Sequence, residues 1–539
     1  MSQMVKLPGH HHPVVIARPD FPGKCDECRH AFYEMHYSCE ICWDIWHKKC
    51  MPTSSEINHP CHPNHALKLL TDGPPDYSDG KCQICRAVLN NFVYHCSTCN
   101  FSLDVPCAKS PGCISIDESK CHNHPLNLMA RQVSFVCNVC GTCGERNPYV
   151  CLACSFMAHK DCVNLPHIII INRHDHRISH TYSLGPGTKI CGICRQNIDW
   201  IYGAYSCMKC PAILFHSKCA TNPQVCDGEE LEGVPEEEED EPMFKVIGEN
   251  VINHVKHPSH NLTLSEDGVV CDASIRCQLC YGLVYSDKFF SCMECDYILH
   301  ETCAFLPSRM RHCLYSFPIS LVDSNRYFNC KACKRYSTGH RYTYHRSRER
   351  IEELDLRCAS VNWSCDHDCH PHTLFLTTTD HDTCGVCKSR SYVLRCVECK
   401  FNLCYKCASY PKKVMHRCDD HHLVLSFGDK KQHGTHWCTV CEAKINLKKW
   451  FYVCEECGIV GHIDCVIGEF SNMKPILCST AKDYGVVRNS GVTRPHCRSC
   501  SRRCLLPFIY RIYAYYFCSF GCVIPYAKRY FDQSIYLCF

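Results

Sequence analysis

Residues 39–50 read Cys-Glu-Ile-Cys-Trp-Asp-Ile-Trp-His-Lys-Lys-Cys. The residues able to bind metal are Cys39, Cys42, His47 and Cys50, spaced C-x2-C-x4-H-x2-C. The same spacing returns at Cys151, Cys154, His159 and Cys162, at Cys292, Cys295, His300 and Cys303, and at Cys454, Cys457, His462 and Cys465. In a chain of 539 residues with 56 Cys and 36 His, one such match is expected by chance about 0.04 times. Four strict matches therefore establish a repeat. Three near copies keep the chemistry. Cys96, Cys99, Asp104 and Cys107 put Asp in the His slot, Cys207, Cys210, His216 and Cys219 are one residue longer, and Cys396, Cys399, Cys404 and Cys407 put Cys there. Asp and Cys are both competent zinc ligands.

Each of these seven units carries a further C-x2-C upstream: Cys25/Cys28, Cys82/Cys85, Cys137/Cys140, Cys191/Cys194, Cys277/Cys280, Cys384/Cys387 and Cys438/Cys441. An aromatic stands two residues before the second pair in six of the seven (Tyr37, Tyr94, Tyr149, Tyr205, Phe290 and Tyr452, with Leu394 the exception). Its expected role is packing beneath the metal knuckle. Ahead of each first pair lies a His, namely His12, His65, His124, His176, His260, His372 or His421, often leading a strand-like alternation such as His65-Ala-Leu-Lys-Leu. A second His or Cys follows the H-x2-C and would close the unit: His59, Cys113, His174, His312 and His416, with Cys226 or His254 closing the fourth. Eight ligands make two tetrahedral zinc sites per intact unit, and spacing alone leaves their pairing open.

Sulfur at this density means disulfides in a secreted protein or metal thiolates in a reducing compartment. The N-terminal text MSQMVKLPGHHHPVV has no apolar core of a secretory signal, and His has no part in a disulfide. The expectation is zinc and an intracellular location, cytoplasmic or nuclear. A unit of about fifty residues buries too little apolar surface to be stable alone, and structural zinc contributes on the order of 10–16 kcal/mol apparent free energy in small fingers.

The repeat resembles the DC1 module, the plant "divergent C1" domain, and nearly the whole chain resembles plant Cys/His-rich C1-domain proteins. The texts Cys191-Gly-Ile-Cys-Arg-Gln-Asn-Ile-Asp, Tyr202-Gly-Ala-Tyr-Ser-Cys and Asp227-Gly-Glu-Glu-Leu-Glu-Gly-Val-Pro-Glu-Glu-Glu-Glu are similar to that family. The resemblance implies a tandem array of small zinc-stapled α+β modules, each with short β-strands and a short helix. It also implies interleaved pairing: Cys25, Cys28, His47 and Cys50 on one zinc, His12, Cys39, Cys42 and His59 on the other. Diacylglycerol-binding members carry Gln-Gly before the second pair. Here the corresponding stretches run from Met35-His36 to Trp450-Phe451 without it, so membrane lipid is not the expected partner.

The expected organisation is units at 8–60, 61–114, 120–174 and 175–226, an acidic linker at 227–242, units at 250–313, 314–367, 368–416 and 417–478, and a Cys-rich tail at 494–539. The linker holds ten acids in sixteen positions and reads as a solvated segment. The sixth unit is worn. It is expected to hold one zinc at most, on Cys330, Cys333 and Cys358, with Asp355 the nearest further donor and with Tyr344, Ser347 and Arg350 in the region of the lost pair. The tail carries Cys497, Cys500, Cys504, Cys518 and Cys522 and reads as a further knuckle. Its apolar stretch from Leu505 to Pro525, interrupted by Arg511, reads as a packed module rather than a membrane span, and Ile168 to Ile171 as a buried strand.

Four ligands per metal leave no open position, so the sites are expected to be structural rather than catalytic. HExxH, P-loop and G-x-S-x-G motifs are absent from the sequence. His11, His95 and His345 read as surface or loop residues. The net charge of +3 does not indicate a nucleic-acid clamp across the chain. The expected role is a non-enzymatic protein-interaction array in plant intracellular signalling and stress response, with proteins as partners and no small-molecule substrate. Three alternatives stand beside it: a PHD-like chromatin or nucleic-acid reader, a thiol–disulfide oxidoreductase, and a diacylglycerol-binding C1 protein. The reader lacks its further C-x2-C, and the oxidoreductase lacks a thioredoxin-type Trp-Cys-x2-Cys on a βα turn.

Overall fold

A computed structural model describes residues 4–17, 23–32, 35–109, 115–182, 184–236, 241–266, 275–284, 288–323, 326–345, 351–377, 381–428, 436–475, 484–489 and 494–530. Every unit is built on an antiparallel meander. In the second unit the strands are Glu56–His59, His62–Leu70, Val93–Cys96 and Phe101–Asp104, adjacent in chain order, followed by the helix Val105–Lys109. In the fourth they are Ile168–Ile169, Ile178–Thr181, Ala204–Ser206 and Leu214–His216, followed by Ser217–Ala220. The worn sixth unit keeps the same order in Arg309–Met310, Ile319–Val322, Arg341–His345 and Ile351–Asp355, with the helix Leu356–Ala359.

Strand alternation explains the sheet. The second strand of each unit turns a buried aliphatic inward (Val14, Leu67, Leu126, Ile178, Leu262, Ile319, Leu374 and Leu423). The aromatic two residues before the second pair lies on the third strand and is fully buried at Tyr94, Tyr149, Tyr205, Phe290 and Tyr452, as is Leu394, while Tyr37 is half-buried. Tyr342 fills this place in the sixth unit. Most of these strands have two to five residues, so no single sheet makes a large core. One apolar cluster joins units one and two, from Val14 to Val105, and reaches Ala130 of the third. Another runs from Ile252 to Val523 through units five to eight and the tail. Buried arginines cross between units: Arg173 donates to Asn172 Oδ1 at 3.0 Å and to the Cys313 carbonyl, and Arg276 lies 3.7 Å over the Phe508 ring.

The first strand of each unit lies at or before the boundary expected from the cysteines. Glu56–His59, Ile168–Ile169, Arg309–Met310, Ser364–Cys365 and Lys413–Val414 all pair with the strand that follows them. The buried tyrosine then reaches back past that strand. Tyr94 Oη donates to Ser54 O at 2.6 Å, Tyr205 to Pro166 O at 2.5 Å, Tyr342 to Pro307 O at 2.5 Å and Tyr452 to Pro411 O at 2.7 Å. Removing one hydroxyl strands a buried carbonyl. Tyr205→Phe is expected to lower stability by about 1–3 kcal/mol, and Tyr205→Ala by about 3–5 kcal/mol. Denaturant unfolding followed by tyrosine near-UV signal checks both values.

The acidic stretch is not wholly the solvated linker the sequence suggests. Glu230 accepts from the backbone N–H of His167 and Ile168 at 2.8 and 2.9 Å and pairs with Lys120, while Arg177 donates to Val234 O and to Pro235 O. Residues 237–240 lie outside the described residues. Ile169 and Ile171 are buried. Leu505 to Pro525 folds as parts of the strands Phe508–Ile512 and Tyr515–Phe517 and the helix Phe520–Tyr530. No helix among the described residues is long and apolar enough to cross a membrane.

Candidate metal centres

Each intact unit contains an inner and an outer quartet. The inner one is assembled by a knuckle and a helix start. In the first pair, the residue after the second Cys takes a left-handed φ near +60° (Arg29, Arg86, Arg195, Tyr281, Lys334, Lys388 and Glu442, with Gly141 at +69°). Its N–H bonds back to the first Cys carbonyl, as Arg29 N to Cys25 O at 2.8 Å. This turn brings both thiols to one side. The His of H-x2-C sits at the N-cap of a one-turn helix without capping it, leaving the imidazole for the quartet. Its N–H donates to the first thiol, as His159 N to Cys137 Sγ at 3.4 Å.

The inner quartets are Cys25, Cys28, His47, Cys50 and Cys137, Cys140, His159, Cys162. In the same arrangement Cys194 and Cys219 lie 3.3 and 3.9 Å from His216 Nδ1 beside Cys191. Cys280 and Cys303 lie 3.3 and 3.7 Å from His300 Nδ1 beside Cys277. Cys441 and Cys465 lie 3.4 and 3.9 Å from His462 Nδ1 beside Cys438. In the second unit Asp104 does two jobs. One oxygen accepts from Cys107 N at 2.7 Å, as a helix cap, and the other faces Cys85 Sγ at 2.8 Å beside Cys82. Asp355 repeats this with Cys358 N at 2.8 Å and Cys333 Sγ at 3.0 Å, next to Cys330. The seventh unit is all sulfur: Cys384 to Cys407 at 3.9 Å and Cys387 to Cys404 at 3.6 Å.

The outer quartets overturn one expectation. Cys39 and Cys42 meet His10 and His12, Cys96 and Cys99 meet His62 and His65, and Cys151 and Cys154 meet His122 and His124. In the fourth unit His176 Nδ1 lies 3.4 Å from Cys210 Sγ, whose thiol is hydrogen-bonded to Cys207, and the His174 ring stands 5.1 Å from that of His176. In the fifth, His257 Nε2 lies 3.6 Å from Cys295 Sγ, beside Cys292, with His260 5.3 Å away ring to ring. In the seventh, His370 Nε2 and His372 Nδ1 lie 3.0 and 3.6 Å from Cys399 Sγ, and Cys396 is 3.5 Å from His372. In the eighth, His421 Nδ1 and Asp419 Oδ1 lie 3.0 and 3.5 Å from Cys457 Sγ, next to Cys454. The fourth ligand is thus a neighbour of the leading His, not a residue after H-x2-C.

His59, His254, His312 and His416 are therefore not closing ligands, and His174 belongs with His176 rather than with the third unit. Four of them, with His367, form a separate class. Each Nδ1 accepts a backbone N–H two residues ahead, at 3.2 Å for His59 and His367, 3.1 Å for His254, and 3.3 Å for His312 and His416. His59, His254, His312 and His416 are buried. Cys226 is buried away from the quartets and accepts from Gly228 N. Cys113 lies outside the described residues. His95 also differs from its expected loop role. It is buried, with Nδ1 2.9 Å from Ser102 Oγ and Nε2 3.0 Å from Tyr77 Oη. His11 and His345 are exposed.

The missed ligands are His10, His62, His122, His257, His370 and Asp419. The readable signal is a donor two residues before the leading His in five units and three before in two. Residues i and i+2 share one face of an extended chain. In the two longer cases the neighbouring strand pair carries a register shift, between Ile57 and His59 and between Ile252 and His254. In the sixth unit the outer site is replaced by rings: Tyr315 and Tyr344 stand 4.8 Å apart where the first His and first Cys stand elsewhere. Ser347 and Arg350 lie outside the described residues.

The donors fit zinc. A tetrahedral ion with bonds of about 2.0–2.3 Å puts its ligand atoms about 3.3–3.8 Å apart. The sulfur separations exclude disulfides, which need about 2.05 Å, and every described Cys is unbridged. Electrostatics points the same way. The Cys82 thiol is pulled down to about 2 by hydrogen bonds from Cys107 and Cys85, and the same contacts push Cys107 far up. Cys137 and Cys140 hold the His159 imidazolium up to about 9. A divalent cation resolves that crowding by displacing the shared protons. These quartets would hold zinc as a structural clamp between knuckle and helix.

The C1 domain family model matches residues 60–108, 120–163, 172–220, 255–304 and 416–466, and the C1 domain-like, C-terminal model matches 484–523. The chain is a member of the C1-like, Cys/His-rich (DC1) family. Units one, six and seven lie outside those matches and share the DC1 sheet order and knuckle with the others. No curated protein and no solved structure matches the chain. The C-terminal C1-like segment repeats the knuckle once more. Ser501 has φ +58°, its N–H bonds Cys497 O, and Cys518 Sγ stands 3.6 Å from both Cys500 Sγ and Cys522 Sγ, with the Cys497 thiol hydrogen-bonded to Cys500.

The buried histidines give a DC1 unit a pH response. Burial pushes His254 and His416 down to about 4, against about 6.5 in the unfolded chain. Both are neutral in the folded state, and the unfolded chain binds more protons between those values. Stability is thus full above about pH 6.5 and falls as pH drops toward 4, by about 3 kcal/mol for each group. A His254→Asn/His416→Asn variant is expected to show a shallower loss over that window in urea midpoints measured at constant zinc.

Proposed function

We propose that the chain is a non-catalytic zinc-finger array that docks other proteins in plant intracellular signalling and stress response, with about two zinc ions in each intact unit. The observation that carries this reading is the outer knuckle. Its backbone is fixed by the metal ligands, while its tip presents an exposed apolar side chain, of four types, in five units: Ile41, Leu152, Met208, Met293 and Val397. Leu152, Met208 and Met293 are at least 80% exposed. A constant scaffold with a variable apolar tip suits recognition of protein surfaces. Quartets with no open coordination position support the non-catalytic part, and the resemblance to DC1 proteins supports the plant setting. The test is proximity labelling in plant cells with the wild type and with Leu152→Ser/Met208→Ser/Met293→Ser. The variant is expected to keep its zinc and lose a defined subset of labelled proteins. Identical labelled sets at equal zinc content would overturn the reading.

A further inference from the structure

The C-terminal module has a charge unlike the rest of the chain. Residues 484–530 contain eight Lys and Arg and no Asp or Glu, although the whole chain carries only +3. A divalent ion on the four thiolates of Cys497, Cys500, Cys518 and Cys522 would leave about six positive charges.

The fold arranges those charges beside a row of rings. Arg498 N donates to Tyr516 O at 2.8 Å, sewing the knuckle to the strand Tyr515–Phe517. The Arg498 guanidinium lies 4.8 Å from the Tyr515 ring centroid. Tyr515 stands 5.9 Å from Tyr526, and Tyr526 stands 4.7 Å from Tyr530, which lies under Arg529 at 5.7 Å. Arg498, Arg502, Arg503, Lys528 and Arg529 are exposed, as are Tyr515 and Tyr530. The result is a cation–aromatic strip running from the knuckle to the end of the helix.

We propose that this strip binds single-stranded nucleic acid, its cations on phosphates and its tyrosines against bases, without sequence preference. Cations beside stackable rings are what a flexible polyanion with planar side groups engages. No carboxylate within 484–530 repels a polyanion, and the Glu469 carboxylate that docks on the module accepts from Phe520 N at 2.7 Å. The inference concerns a surface separate from the knuckle tips and does not depend on them.

The test is fluorescence anisotropy of the full-length, zinc-loaded chain with a labelled single strand of about 20 nucleotides, RNA and DNA in parallel, across a salt series. The expected log–log slope is about −0.7 for each phosphate neutralised, so −2 or steeper. Arg502→Ala/Arg503→Ala/Lys528→Ala/Arg529→Ala is expected to cut affinity at least tenfold and to make the slope shallower by about 2–3. Tyr515→Ala is expected to cut affinity about 5- to 100-fold with the slope unchanged. A wild-type slope shallower than about −1, binding unaffected by the four-cation variant, or capture by phosphatidylserine vesicles without capture of the oligonucleotide would each overturn the proposal. The wild-type slope needs no variant and stands even if a substitution disturbs folding.

Discussion

Stripping zinc with a strong chelator at pH 7 unfolds the array and abolishes its near-UV tyrosine signal. The signal reports on Tyr94, Tyr149, Tyr205, Tyr342 and Tyr452, which are fully buried. The expectation rests on size. Sheets of mostly two to five residues per strand cannot hold these rings in place against chain entropy, whereas each structural zinc contributes on the order of 10–16 kcal/mol. Loss should come in two stages. The outer quartet of the second unit has two exposed members, His65 and Cys99, whereas Cys137, Cys140 and Cys162 of an inner quartet are buried. Outer ions therefore leave first in a colorimetric release assay, and the tertiary signal collapses with the inner ones. Two ions in each of seven units, one in the sixth and one in the C-terminal module make about sixteen per chain, a count native mass spectrometry reads directly. A near-UV spectrum that survives complete removal would refute the zinc-dependent fold.

A paired substitution in the fifth unit separates ligands from structural histidines. His257→Ala is expected to remove one zinc, because His257 faces Cys295 as one of the four donors of the outer quartet. The cost approaches the contribution of that ion, on the order of 10 kcal/mol. His254→Ala is expected to keep every ion. Its buried imidazole accepts the N–H of Lys256 at 3.1 Å. Losing that contact and leaving a small cavity costs about 1–3 kcal/mol. Metal counting by mass spectrometry with urea unfolding distinguishes the two. Equal zinc loss in both variants would return His254 to the ligand set.

The family, the repeat and the inner quartets were legible because their residues sit at short fixed spacings on one turn. Asp104 and Cys404 were readable as substitutes because they keep the slot of His47. The outer quartets were legible only by half. Cys39 and Cys42 announce themselves, while their partners precede them by about thirty residues, across the knuckle. The misleading signal was a His nine residues after the last Cys of an inner quartet, at His59, His312 and His416. That constancy is real, and it marks a buried imidazole holding a turn between units rather than a ligand. Burial against a backbone N–H cannot be told from metal binding by spacing alone. The Tyr315–Tyr344 pair was likewise invisible, because missing ligands do not say what fills their place.

The tyrosine hydroxyls define what a copyable piece of this gene must contain. Ser54, Pro166, Pro307 and Pro411 each follow the last Cys of the preceding inner quartet by four residues, and each offers its carbonyl to the next sheet. A recombination breakpoint inside that four-residue gap transfers a body with its first strand and its anchor intact. One placed later, at the donor just ahead of the next leading histidine, delivers every zinc ligand and still yields a sheet open along one edge.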